Sequence, residues 1–174
     1  METKFTPWRL KYINDSNQPD QPEGCVLCRL PQAPKKDDPS NLVLYRGEHC
    51  YIVLNLYPYN TGHLMIVPYV HTADLPGLAD AVAQELFSLS RLSVAWLAKE
   101  YQPHGFNLGM NLGRIAGAGI DDHLHLHIVP RWSGDSNFMP IIGGTKLIPE
   151  ALDQTYARLH PYFQAFEEAN LQLS

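Results

Sequence analysis

The run His123-Leu124-His125-Leu126-His127-Ile128-Val129 constrains this chain more than any other stretch. Successive side chains of a β-strand point to opposite faces, so strict alternation puts His123, His125 and His127 on one face and Leu124, Leu126 and Ile128 on the other. The segment is predicted as a strand. Neighbouring imidazoles on its polar face should stand roughly 6.5 to 7 Å apart, which suits the lining of a site better than the interior of a core. Such a row could ligate a metal, because neutral imidazole is a common ligand, or attack phosphorus, because imidazole is uncharged and nucleophilic near neutral pH. Spacing alone leaves both chemistries open, beside the plainer reading of a solvated, histidine-rich sheet face.

With 174 residues, 45% of them hydrophobic, the chain can bury one proper core. A single domain over 1–174 is expected, preceded by an extended arm over about residues 1–24. A formal charge of −5 argues against a nucleic-acid or anionic-membrane binder, either of which usually carries a basic surface. No segment approaches the roughly 20 apolar residues that span a bilayer, and the expected location is cytoplasmic. In a reducing compartment three cysteines make a poor disulfide framework, so Cys25-Val26-Leu27-Cys28 reads as half a metal site or a redox pair, without the thioredoxin-like context a redox pair should have. Pro31 to Asn41 reads as a mobile surface loop whose Lys35-Lys36-Asp37-Asp38 charges serve solvation.

From Leu42 the pattern turns to β. Leu42 to Tyr45, a turn at Arg46-Gly47-Glu48 and Cys50 to Leu56 predict a hairpin; Tyr51, Val53 and Asn55 share one face of its second strand, while Cys50 sits with the aliphatic residues as a packed core thiol. His63 to Pro68 is a further strand. A long helix is predicted from Asp74 or Gly77 to Glu100, with Leu78, Val82, Leu86, Leu89 and Trp96 on its apolar stripe and Phe87, Val94 and Leu97 off it. Phe106 to Leu112 alternates as a strand, and Gly113 to Ile120 is a turn rich in glycine and alanine. The last helix runs from about Pro149 to Leu159, bent or broken at Pro161, and resumes through Phe166.

The alternating histidine motif, with apolar residues between and after, resembles the signature of the histidine-triad nucleotide hydrolases and transferases, and flanking residues extend the likeness over most of the chain. The resemblance implies an α+β fold, an antiparallel sheet carrying a long helix and a C-terminal helix. It implies His125 as the nucleophile that takes up a nucleotidyl group from an α-phosphate, with His127 and His63 facing the phosphate from either side. By the same correspondence Asn55 meets the ribose, Val53 and Met65 flank the base, Asn111 contacts the phosphate or its bridging oxygen, and Trp132 joins the nucleotide site. Where some branches place a serine three residues before the first histidine, this chain has Ile120, so help for the leaving group falls to backbone N–H groups at Ala118 and Gly119, to His127 or to a bound divalent ion.

Several family members complete a zinc site with the equivalents of His71 and His123, which makes Cys25, Cys28, His71 and His123 the implied metal ligands; magnesium could accompany the substrate. Pro7-Trp8-Arg9, the Gly117 to Asp122 loop and the segment after the triad look most like the branch of dinucleoside polyphosphate phosphorylases and adenylyltransferases. Arg131, Thr145 and Lys146 are then the candidate phosphate contacts. The implied substrate is an adenine nucleotide or dinucleoside polyphosphate such as diadenosine tetraphosphate, split by phosphate; hydrolysis and phosphoramidase activity are the alternatives. A nucleotide or zinc-binding module with little turnover, and a metal-hydroxide hydrolase, are competing readings. Family members commonly pair through the helix region, so a homodimer is expected.

Overall fold

A computed structural model describes residues 24–135 and 150–171. The proposed N-terminal arm, Thr145 and Lys146 lie outside the described residues. Five strands form one antiparallel sheet: β1 (Val43–Arg46), β2 (Cys50–Leu54), β3 (Leu64–Pro68), β4 (Gly105–Gly109) and β5 (Leu126–Arg131). Their spatial order is β1-β2-β3-β5-β4, so the histidine strand is inserted between β3 and β4. Two short helices, α1 (Val26–Arg29) and α2 (Asp38–Asn41), precede the sheet; α3 (Asp80–Tyr101) connects β3 to β4, and α4 (Leu152–Leu171) closes the described chain. This is the α+β arrangement expected from the sequence.

The period of two along the strands separates two apolar layers. Cys50, Ile52 and Leu54 of β2 join Leu64 and Ile66 of β3 and Ile128 of β5 on the face covered by α3 and α4, where Leu97, Leu159 and Phe163 are also buried. Tyr51, Val53 and Val67 point the other way and pack with Leu27 and Val43. Both faces at the centre are therefore closed to water, which explains why every residue of β2 is buried. Each fully buried aliphatic side chain contributes about 1.5 to 3 kcal/mol to folding. Cys50 is fully buried, as expected of a core thiol, and burial pushes its pKa up to about 12, leaving it inert.

Four features of the structure differ from what the sequence predicts. The long helix begins at Asp80, because the Pro76-Gly77 segment forms a separate turn closed by the Leu78 N–H on the Leu75 carbonyl. Leu97 belongs to its buried stripe, in line with Leu86, Ser90 and Ser93; the two serines let the helix approach the sheet, and Phe87 alone among the three supposed off-stripe residues is broadly exposed. The last helix is continuous through Pro161. Proline removes a bond to the carbonyl of Ala157, and both residues lie on the solvent side, where water can replace it. The Pro31 to Asn41 stretch is not a loop of solvated charges. It is folded into helical turns, with Asp38 only 7% exposed and its carboxylate bound by Arg46 at 3.0 Å through Nε. The same guanidinium donates to the Pro31 and Ala33 carbonyls at 2.6 and 2.9 Å, tying the whole stretch to β1.

Candidate active site

The sheet register lines up one row of side chains on the face away from α3. Val43 lies opposite Val53, Val53 opposite Met65, and Met65 opposite His127. Opposed residues share a face and adjacent strands are about 4.8 Å apart, so His127 is roughly 10 Å from Val53. A groove of about 670 Å³ opens over this row, lined by His125 and His127, by Val53, Asn55 and Met65, and by Asn111 and Gly119 of the turn before the triad. That volume suits a nucleotide-sized ligand. His123 and His125 enter ahead of the paired part of β5, because β4 ends at Gly109 opposite His127.

Hydrogen bonds fix the tautomers of the buried histidines. The backbone N–H of Tyr59 can only donate, and it donates to His63 Nδ1 at 2.9 Å; the His63 proton therefore sits on Nε2. That Nε2–H donates to His127 Nδ1 at 3.0 Å, which places the His127 proton on its own Nε2. The Asn55 amide nitrogen, at 3.5 Å from His63 Nε2, is too distant to compete. His127 Nε2–H is buried and has no protein partner among the described residues. An unpartnered buried donor costs about 1 to 3 kcal/mol, so it marks a place for an acceptor on a ligand. Burial, with a smaller electrostatic contribution from the neighbouring His125, pushes the His127 pKa down to about 4, so the ring is a neutral donor at physiological pH.

His125 has the complementary arrangement. Its Nδ1–H donates to the His123 carbonyl at 2.8 Å, leaving Nε2 with a bare lone pair. His125 and His127 rings stand edge to face with centroids 4.8 Å apart, closer than the spacing expected along a strand because the rings tilt together. One bare nitrogen and one N–H thus adjoin at the groove: a nucleophile and a donor for a developing negative oxygen. His63 corrects the sequence reading. It is 1% exposed, has both ring nitrogens engaged and does not line the groove, so it acts on His127 rather than on a ligand.

The remaining sequence candidates divide. Asn55 turns its carbonyl oxygen to the Tyr57 N–H at 2.9 Å, and the Asn111 amide faces the Gly117 carbonyl at 3.5 Å, a long and weak contact beside the glycine turn. Gly113 and Gly117 adopt φ of +83° and +95°, conformations that favour glycine. Ala118 is buried behind that turn. Arg131 and Trp132 are not brought to the groove; the Arg131 guanidinium pairs with Asp135 at 2.7 Å and donates to Asn107, and the Trp132 N–H also bonds Asp135. Tyr59, Leu30 and Asn41 line the groove and escaped the sequence reading. Tyr59 stacks obliquely on His63, centroids 4.6 Å apart, and only its place in a turn next to a histidine hinted at a role.

Behind the triad lies a second cluster. One helical turn, with the Cys28 N–H on the Cys25 carbonyl, brings both thiols to one side. His123 Nδ1 is 3.3 and 3.4 Å from the sulfurs of Cys25 and Cys28, and His71 Nδ1 is 3.3 Å from Cys28 Sγ. All four donor atoms lie within 4.8 Å of one another. A zinc tetrahedron with ordinary bond lengths separates sulfur from nitrogen by about 3.6 Å, so the donor set fits such an ion. His123 Nε2 donates to the Pro68 carbonyl at 2.8 Å and the His71 Nε2 edge faces Asp122 at 3.6 Å, which leaves both Nδ1 lone pairs directed inward. Burial and the neighbouring Cys25 raise the Cys28 pKa in the bare protein.

A five-stranded antiparallel sheet with a buried, tautomer-fixed row of histidines at the mouth of an apolar groove defines a histidine-triad protein. Residues 35–134 match the family model of the HIT domain, and the chain belongs to that family. It is 41% identical over 157 residues to the AP-4-A phosphorylase of Mycobacterium tuberculosis, covering 89% of this chain and 80% of that protein. Protein hit of Bacillus subtilis is 28% identical over 116 residues, covering 67% of this chain and 77% of the relative. Among solved structures, a Zn-bound histidine triad family protein from Mycobacterium smegmatis superposes with a TM-score of 0.65 at 21% identity, covering 84% of this chain and 97% of that one. No helix among the described residues is long and apolar enough to cross a membrane.

Proposed function

We propose that this protein splits diadenosine tetraphosphate or a closely related adenine dinucleotide by phosphorolysis, through a nucleotidyl-histidine intermediate on His125. The observation that carries the reading is the pairing of a bare His125 Nε2 with the unpartnered His127 Nε2–H at one groove. The bare nitrogen attacks the α-phosphorus, the bond to the departing ATP oxygen breaks, and AMP is held as a phosphoramidate. An oxygen of inorganic phosphate then displaces His125, and the products are ADP and ATP. His127 donates to the oxygen that gains charge, and His63 positions His127. Asn55 is assigned to the ribose, Val53 and Met65 to the base, and Asn111 and the N–H groups about Ala118 and Gly119 to the phosphate. Arg131, already paired with Asp135, is the weakest of the candidate phosphate contacts.

The name of the mycobacterial relative supports the choice of substrate and acceptor. Incubation with diadenosine tetraphosphate, acid-free quenching and mass spectrometry should find one AMP on His125, and turnover should require phosphate. Products AMP plus ATP, formed at the same rate without phosphate, would make water the acceptor.

We assign structural zinc to Cys25, Cys28, His71 and His123; the donor set fits it, and its role is to brace the loops about His123, with no part in the chemistry. A reducing compartment preserves such thiols, and on that ground we place the protein in the cytoplasm. Any magnesium arrives with the polyphosphate. We also propose a homodimer through the β4 edge and Phe87: Leu108, Leu112 and Phe87 are 47, 48 and 65% exposed, and β4 pairs on one side only among the described strands. Light scattering should give twice the chain mass, and Leu108→Asp should halve it.

A further inference from the structure

The far end of the groove, two to three strands away from His127, is walled by apolar residues, among them Leu30, Leu42 and Val53. Two polar residues join that wall, Ser40 and Asn41, both from α2. The Ser40 hydroxyl is already committed to the Asp37 carbonyl at 2.8 Å. Asn41, in contrast, is half-buried, and among the described residues its carboxamide has no hydrogen-bond partner. The residue that follows it is strained. Leu42 has φ +60°, a left-handed conformation that glycine or asparagine adopts far more easily than a branched side chain. Such outliers persist only where the surroundings hold them. Here the hold is visible: the Leu42 N–H bonds the Pro39 carbonyl, and the Asp38–Arg46 pair fastens α2 to β1. The effect is to place Leu42 on the groove wall with Asn41 beside it.

We infer that Asn41 reads the edge of the purine base and sets the base preference of this site. The inference rests on the nucleotide reading of the groove given above and deepens it. With the α-phosphate at His125 and His127, a base lying over Met65 and Val53 presents its polar edge toward α2. A carboxamide offers one donor and one acceptor, the complement of the adenine 6-amino group and an adjacent ring nitrogen. A carboxylate in the same position only accepts. It would repel the adenine ring nitrogen and pair with the two adjacent N–H donors of guanine.

The test is equilibrium binding of three nucleoside monophosphates to the full-length protein: AMP, GMP and purine riboside 5′-monophosphate, which lacks the 6-amino group. Wild type, Asn41→Ala and Asn41→Asp are compared, each first checked for an unchanged melting curve and, as a second safeguard, for retained binding of inorganic pyrophosphate. Removing the 6-amino group should weaken binding to wild type by about tenfold, the scale of one lost base contact, and should leave binding to Asn41→Ala unchanged. Asn41→Asp should move the AMP to GMP affinity ratio toward GMP by about tenfold or more. An equal loss of the amino-group contact in wild type and Asn41→Ala, or an unchanged ratio in Asn41→Asp, overturns the inference, as does wild type that binds no AMP. These readouts need no turnover. If diadenosine tetraphosphate is not split while the binding pattern holds, phosphorolysis fails and the role of Asn41 stands.

Discussion

Acid should destabilise this protein through His127 in a window that the structure defines. In the unfolded chain the imidazole titrates near 6.5, whereas burial, aided by His125, pushes the folded value down to about 4. Between these values the unfolded state binds a proton that the folded state refuses. Stability is therefore fully present above pH 6.5 and is lost as the pH falls toward 4. The shift of about 2.5 units, at 1.36 kcal/mol each, corresponds to a loss of about 3 kcal/mol by pH 4. Other groups also titrate in this range, so the comparison must be differential. Urea unfolding of wild type and His127→Gln, at pH 7.5 and pH 4 with a chelator present throughout, isolates the contribution. Wild type should lose about 3 kcal/mol more than the variant across the interval. Equal losses in the two proteins would refute the burial argument, and with it the assignment of His127 as a neutral donor.

Substituting His125 by Asn should abolish the AMP adduct and lower turnover by at least about a thousandfold with an unchanged melting temperature. His63→Ala should lower kcat more than it raises KM, because it removes the acceptor for the Tyr59 N–H and the donor that sets the His127 tautomer; an effect confined to KM would contradict this. Cys28→Ser, like exhaustive chelation, should lower the melting temperature while single-turnover adduct formation at low temperature persists. Leu97→Ala, at a position with no exposure, should cost about 2 to 5 kcal/mol in unfolding free energy.

Strict alternation made the strand legible from Leu126 onward, but His123 and His125 lie ahead of β5, because β4 ends opposite His127 and offers them no partner. The two faces of β2 were legible by the same alternation, down to the burial of Cys50. His63 was found but misplaced: a sequence can put a histidine near a site, yet only the Tyr59 N–H and the His127 ring reveal that both its nitrogens are occupied. The spacing of Cys25 and Cys28 offered only half of the metal cluster; His71 and His123, on the loop after β3 and the lead into β5, share no local motif with it, and the family resemblance supplied them. Asp38 looked like a solvation charge because its partner, Arg46, lies eight residues on, beyond any helical spacing of side chains. Leu97 lies eleven residues, about three turns, beyond Leu86 and so shares its face, although a stripe that starts at Leu78, ahead of the helix, points away from it.

The row Val43, Val53, Met65, His127 runs across the strands rather than along one of them. Its spacing is therefore set by backbone ladders, which no side-chain substitution can stretch or shorten. On the proposed placement a nucleotide laid over it is measured one strand per step, so the proposed phosphate seat should stay fixed when the base seat is altered. If the base sits over Val53 and Met65 as proposed, substitution there should change what is accepted without disturbing where it reacts. To change the measured length itself, β3 would have to slip against β5 by two residues, since a slip of one turns His127 away from the groove.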